Sequence, residues 1–302
     1  MNGTLSCPHL HTRPHREPAA LAASARRVSE PALSNPFSPN GVPSMRIYAL
    51  VLSAALAGCA DPSSPRLETP ADSLAFRVTE GAGGLRAWDA LPGIAFEWAV
   101  VRDSSEVVRT RHVWDKDGDR VRAEWPGGAD SLFVAVFRPS GFDADAPEGQ
   151  VALNGVALDG PEAAERLTEA NGRFVNDGYW LLAPLKVLDP GVRRAIEPRD
   201  GFDRLALSFD GVGLTPGDRY WIEVDDVTGA MTGWSFLLES GNEGRFQWVD
   251  PVLLETPGGS LTLSRMKVAD DGSTILTEPT ALVEIDEAEF TDLTPRLGQS
   301  AL

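Results

Sequence analysis

Two periods divide the chain. Leu74, Val78, Leu85 and Trp88 recur at helical spacing after Thr69-Pro70, an N-cap followed by proline at the first helical position. They predict a helix over about 70–89, weakened by Gly81, Gly83 and Gly84, which let a sheet approach closely. From Pro92 the period changes to two. Ile94, Phe96, Trp98 and Val100 alternate with Ala95, Glu97 and Ala99. Val121, Ala123 and Trp125 alternate with charged residues, and Phe133, Ala135 and Phe137 follow a Pro-Gly-Gly turn. Asp117-Gly118 is a hairpin turn.

A second helix starts near Asp159, with Glu162 placed to complete a capping box and Ala163, Leu167, Ala170 and Phe174 as its apolar stripe. Tyr179 to Lys186 is apolar all round, as a buried or pocket-lining segment is. Strands resume at Leu205–Phe209 and Tyr220–Val224. After a turn at Asp226–Gly229 comes Trp234–Leu238, and further strands fall near 245–250, 260–268, 273–278 and 281–286. About ten or eleven strands in meander order, two helical segments and no βαβ alternation predict a mainly β (α+β) domain. Its expected form is an antiparallel sheet curled around helices over about 69–290, with a C-terminal tail at 291–302.

Upstream of that domain the pattern is that of an export signal. From Met45, Arg46 supplies a positive n-region and Ile47–Leu56 an apolar h-region, too short for the ~20 residues of a membrane-spanning helix. Leu56-Ala57-Gly58-Cys59 follows as a lipobox. Small residues before the cysteine allow an extended strand to enter a signal peptidase, and the Cys59 thiol takes the diacylglyceryl group. Ala60 to Pro65 then reads as a polar tether. Two or three acyl chains, palmitate among them, hold a protein to a bilayer far more firmly than one. Ala60 rather than Asp after the cysteine points, by the sorting rule of enteric bacteria, to the outer membrane facing the periplasm. Residues 1–44 are rich in Pro, Ser, His and Arg without apolar periodicity. They are expected to be an upstream extension of a chain that truly starts at Met45, or else a long disordered n-region.

Charge and cysteine content narrow the function. Residues 1–59 hold five Arg and two Glu. Taking those from totals of 27 and 44 leaves 22 basic and 42 acidic residues after Cys59, a formal charge of −20. Such a surface repels phosphate backbones and argues against nucleic-acid binding. Once the leader is cut, Cys59 is the one cysteine left, so no internal disulfide or thiol catalysis follows.

His112 is the one histidine after the anchor, and alone it makes no zinc site. No Gly-x-Ser-x-Gly elbow accompanies it. Asp115-Lys116-Asp117-Gly118-Asp119 fails as a calcium loop, since Arg120 and Pro126 stand where Gly and Glu are needed; it reads as a turn, as does Asp225-Asp226. No catalytic residue, metal ligand or cofactor is therefore assigned. All eight tryptophans follow Cys59. Core packing accounts for them, or Trp98, Trp125, Trp180, Trp221 and Trp234 face one concave cavity that takes an apolar ligand.

Three stretches, Gly83-Gly84-Leu85-Arg86-Ala87-Trp88, Tyr179-Trp180-Leu181-Leu182-Ala183-Pro184 and Gly213 to Trp221, stand in order after the lipobox. With Asp226-Val227-Thr228-Gly229 and Trp234 they resemble bacterial lipoproteins of the LolA/LolB-like fold. The resemblance spans about residues 70–290. It implies an open, half-closed β-barrel plugged by helices, with an apolar cavity for acyl chains, and a lipid-anchored, non-catalytic binder of a lipid or other amphiphile. A structural or assembly lipoprotein packed on a protein partner is the alternative, and an envelope hydrolase a distant third.

Overall fold

In the computed structural model, which describes residues 67–298 apart from 129, 200, 201, 212, 213 and 216, Thr69 caps the first helix. Its hydroxyl accepts from the Asp72 amide at 3.1 Å while the Asp72 carboxylate accepts from the Thr69 amide at 3.0 Å. Residues 1–44, the leader, the lipobox Leu56, Ala57 and Gly58, the Cys59 anchor and the tether lie outside the described residues. The helix expected over 70–89 is two helices, α1 (Pro70–Gly81) and α2 (Leu85–Asp89). The break is imposed at Gly83, whose φ of 106° disfavours any side chain. A Cβ there would lie 2.1 Å from the Ser260 carbonyl oxygen, so glycine is what lets the turn touch the sheet.

The sheet has thirteen antiparallel strands: β1 (Gly93–Arg102), β2 (Ser105–Asp115), β3 (Arg120–Gly128), β4 (Ser131–Phe137), β5 (Gly149–Leu153) and β6 (Val156–Ala157) precede a long helix, α3 (Gly160–Lys186). β7 (Val192–Arg199), β8 (Phe202–Phe209), β9 (Arg219–Val224), β10 (Met231–Leu237), β11 (Glu243–Thr256), β12 (Gly259–Ala269) and β13 (Thr274–Leu282) follow it. Each half of the chain is a meander, and the first and last strands, β1 and β13, pair at the centre, Trp98 opposite Thr277. β6 and β7 are the free edges, and α3 runs from one to the other. The result is an open sheet curled around a helix, the mainly β half-barrel that the sequence predicts.

The strand count departs from ten or eleven because three strands are cryptic in sequence and one is not separate. β5 and β6 are short, and β7 breaks alternation with adjacent Arg193 and Arg194 and with Pro198, tolerable at a sheet edge. The stretch near 281–286 begins as the end of β13 and then bends away.

The helix expected from Asp159 and the apolar run at 179–186 are one 27-residue helix. Asp159 holds an extended N-cap conformation, but its side chain makes no cap hydrogen bond, so the expected capping box is not formed. Gly160 enters the helix at a φ of 63°, outside the helical region, which removes the geometry such a box needs.

α3 divides the core along its length. Leu167, Ala170 and Phe174 pack on β3–β5, and Leu181, Leu182 and Leu185 on β1, β11, β12 and α2. α1 and Val187 cover β7–β9. On the opposite face of the sheet, Arg122 and Glu124 are fully buried beneath a strap over 286–298 that includes α4 (Ala288–Thr291). Arg122 donates to Glu124 Oε1 at 2.7 Å and to the carbonyls of Glu289, Asp292 and Thr294. Glu124 Oε2 accepts the amides of Arg296 and Leu297 at 2.6 and 2.7 Å. Arg122 and Glu124 therefore satisfy, by charge-assisted bonds, backbone groups of the strap that would otherwise be orphaned.

Candidate functional site: an aromatic groove along the central helix

A groove of about 430 Å³ runs beside α3. The helix supplies Phe174, Val175, Gly178, Tyr179, Trp180 and Leu182 to it. The sheet supplies Trp114 from β2, Phe209 from β8, Tyr220 from β9 and Trp234 from β10. Pro139 and Ser140 stand on one rim, Leu214 and Thr215 on another. This volume lies in the range of small-molecule sites, and an apolar wall with few polar groups is their usual make-up.

The aromatic wall is interlocked. Trp180 meets Trp234 edge-on with centroids 4.6 Å apart and Phe246 at 4.8 Å. Tyr220 lies 5.0 Å from Trp234, and Tyr179 packs edge-on to Phe209 at 5.9 Å. Edge-to-face pairs of this kind contribute about 0.5–1.5 kcal/mol beyond their buried area. The groove is therefore held open by its own walls.

Ser140, Asn171, Asn176, Lys186, Asp189 and Thr215 add polar groups to the lining. Lys186 pairs with Asp189 at 2.7 Å. Asp218, 4% exposed, accepts from Thr215 Oγ1 at 2.5 Å, Tyr220 Oη at 3.2 Å and the Glu239 amide at 2.9 Å, which fixes the Thr215 rim. Burial pushes the hydroxyls of Tyr179 and Tyr220 well above the ordinary phenol range, with the Asp218 charge adding to the effect at Tyr220. Both remain neutral, and the groove surface they present is uncharged.

Of the five tryptophans picked out in the sequence, Trp180 and Trp234 line this groove. Trp125 is 1% exposed and stacks on Phe133 at 5.3 Å in the cluster under the first half of α3. Trp98 shares its strand face with Phe96 but lies outside the groove lining, opposite Thr110 and Thr277. Trp221 is on the other side of the sheet, because its neighbour Ile222 takes the core side. Its Nε1 donates to Glu197 at 2.6 Å, and the guanidiniums of Arg204 and Arg219 flank the ring, each 5.6 Å away. One cavity lined by all five is thus not formed. Trp114, Tyr179 and Tyr220 take part instead; the all-round apolar run at 179–186 is the signal for Tyr179, and strand parity with the fully buried His112 could have found Trp114.

His112 and Asp177 meet beneath α3. Asp177 Oδ2 lies 2.8 Å from His112 Nε2 and accepts from Thr110 Oγ1 at 2.6 Å, while Oδ1 accepts from Asn176 Nδ2 at 2.9 Å. His112 and Thr110 are fully buried and Asp177 is 2% exposed. None of the three lines the groove, so the cluster acts as a clamp between helix and sheet. Asp115 accepts from the Gly118 amide and from Arg120, and Asp225 from the Val227 and Thr228 amides; both are turn devices. Among the described residues no group of three His, Cys, Asp or Glu side chains is placed to hold a metal ion, and no helix is long and apolar enough to cross a membrane.

No protein-family model and no curated protein matches the chain. Solved structures similar to it include a DUF1329 family protein from Desulfovibrio piger, at 11% identity and TM-score 0.37, covering 72% of this chain and 94% of that one. A LolA superfamily protein from Nitrosomonas europaea matches at 12% identity and TM-score 0.38, covering 72% and 97%. A third, a putative outer membrane lipoprotein-sorting protein domain from Vibrio parahaemolyticus, matches at 9% identity and TM-score 0.36, covering 71% and 95%.

Proposed function

We propose that this chain is a membrane-anchored envelope protein that binds an amphipathic molecule, its apolar chain lying in the groove beside α3. The observation that carries this reading is the groove itself: about 430 Å³ walled by Trp180, Trp234, Tyr179, Phe174 and Tyr220, with its two charged lining residues, Lys186 and Asp189, paired to each other. An apolar chain entering it exchanges water for aromatic surface, worth about 25 cal/mol per Å² buried. An aromatic wall whose charges are paired favours such a chain over an ionic solute. The reading is of a binder and not of a catalyst, since the buried His112–Asp177 pair does not reach the groove. The leader and lipobox add the address: export, a lipid on Cys59, and a position on the periplasmic side of the outer membrane.

Solvent extraction of the purified protein followed by mass spectrometry tests the first part. A co-purifying acyl lipid is expected, and adding one to the stripped protein should change the emission of Trp180 and Trp234. No amphiphile and no change in emission would sink the reading. For the anchor, Cys59→Ser should move the protein from the membrane to the soluble fraction. A variant that stays bound and acylated would refute the lipobox assignment.

A further inference from the structure

The outer face of the sheet at its β7 end departs from the rest of the molecule. Alternation puts Val192 and Ile196 of β7, Leu205 of β8 and Ile222 of β9 on the core side. The positions between them face outward, and they hold Arg193, Arg199, Arg204 and Arg219 against Glu197 and Glu223. Glu223 is itself taken by Arg245 of β11 at 2.8 Å. A local excess of positive charge therefore stands on a chain whose formal charge after Cys59 is −20.

The strand registers set these side chains around a hole. Arg193 lies opposite Ser208, and Ser208 opposite Arg219, so one row across three strands reads Arg-Ser-Arg. The row beside it reads Ala195, Ala206, Trp221. The small side chains leave a depression of about 150 Å³, lined by both rows and by Glu197. Its arginines are loosely held. Arg193 meets Asp210 at 2.7 Å and Arg219 meets Glu197 at 3.8 Å, with the two arginine side chains 70% and 57% exposed. Exposed pairs of this kind contribute little to stability. Both guanidiniums are thus free to turn to an incoming carboxylate, a group whose geometry matches their own.

β7 is also a free edge of the sheet. A segment that adds beside it as a strand places alternate side chains on the outer face, next to Arg193. A second copy of this chain paired through the same edge would set two arginine-rich strands side by side, which like charge opposes. An acidic strand is attracted. We propose that the β7 edge and the adjoining hole form a docking surface for an extended acidic protein segment with carboxylates at alternating positions. Its backbone lies along β7, and one carboxylate enters between Arg193 and Arg219. Trp221, beside the hole, supplies with these arginines the residue types that dominate binding energy at protein interfaces. The surface is on the opposite sheet face from the groove beside α3, so the inference does not depend on what the groove binds.

The test uses the full chain and an end-blocked, dye-labelled peptide of alternating Thr and Glu, read by fluorescence anisotropy, with the Gln-for-Glu peptide as control. The acidic peptide should bind and the Gln peptide should not. Arg193→Gln with Arg219→Gln should weaken binding by about tenfold or more. Arg138→Gln with Arg265→Gln, an equal loss of charge at exposed arginines elsewhere, should change it by less than about twofold. If the first pair of changes unfolds the protein, Arg193→Gln alone carries the comparison. No binding of the acidic peptide overturns the proposal. So does equal weakening in both double variants, which marks net charge and not a site. Vesicles containing phosphatidylglycerol form the second arm: if they bind through Arg193 and Arg219 while the peptide does not, the face meets lipid and the proposal fails. None of these outcomes touches the groove reading.

Discussion

Replacing Asp177 by alanine removes one carboxylate and strands three donors. Two of them, Thr110 Oγ1 and His112 Nε2, sit on fully buried side chains at 2.6 and 2.8 Å from Oδ2. Orphaning a buried donor costs about 1–3 kcal/mol, and two fully buried side chains lose their acceptor here. The two losses overlap, so the expected cost of Asp177→Ala is about 2–5 kcal/mol. For a domain of this size that lowers the melting midpoint by roughly 4–20 °C. Asp177→Asn keeps an acceptor oxygen within reach of Thr110 and His112 and should cost less. Urea unfolding followed by tryptophan emission measures both. The double variant Asp177→Ala with His112→Leu should recover part of the loss, since it removes the stranded imidazole as well. A loss under about 1 kcal/mol for Asp177→Ala, or no recovery in the double variant, would show that the cluster does not clamp α3 to the sheet.

Trp234→Ala should reduce the emission response to an added acyl chain, leaving the part that Trp180 reports, whereas Trp221→Ala, on the opposite sheet face, should leave it unchanged; titration of both variants decides whether the inner face alone binds. Arg122→Ala strips the strap of the side chain that holds three of its carbonyls. It should cost about 3–5 kcal/mol and speed amide exchange over 286–298, and unchanged exchange there would refute the strap's dependence on Arg122. Acid should weaken the fold in a defined window. Burial pushes Glu289 up, but the hydrogen-bonded Arg111, with Arg296 and Arg122, holds its carboxyl below the ordinary value of 4.5. The bonds from Arg194 and then Thr69 hold Asp72 below 3.8. Both pKa values are depressed on folding, so their stabilisation is complete above about pH 4.5 and is lost as pH falls through the depressed values. Urea midpoints that stay constant from pH 6 down to about pH 3 would contradict this.

Alternation made β1, β3, β4 and β8–β10 legible in the sequence, because each carries apolar residues on one parity. It could not say which parity faces the helix. Trp221 and Trp234 both look like wall residues in sequence, yet Ile222 claims the inner face of β9 and turns Trp221 outward. β7 stayed hidden because an edge strand tolerates Arg193-Arg194 and Pro198, which a central strand would not. The long helix was seen as two pieces, since Gly178 and Pro184 interrupt a pattern that tertiary contacts carry through. The Asp177 partner of His112 lay 65 residues away, and the Arg122 strap contacts up to 172 away; no local pattern encodes them.

The pairing of β1 with β13 has a consequence for how the molecule is made. The last strand of the sheet, 274–282, belongs to its middle, while the free edges come from the middle of the chain. A nascent chain can build two separate meanders, but nothing joins them into one surface until that final strand arrives. Contacts of such sequence separation are slow to form. The topology itself delays completion of the sheet until β13 has been made. Truncation at the C-terminus removes the keystone and not a border, so a nonsense change ahead of Thr274 should leave two unsealed sheets in place of a slightly smaller barrel.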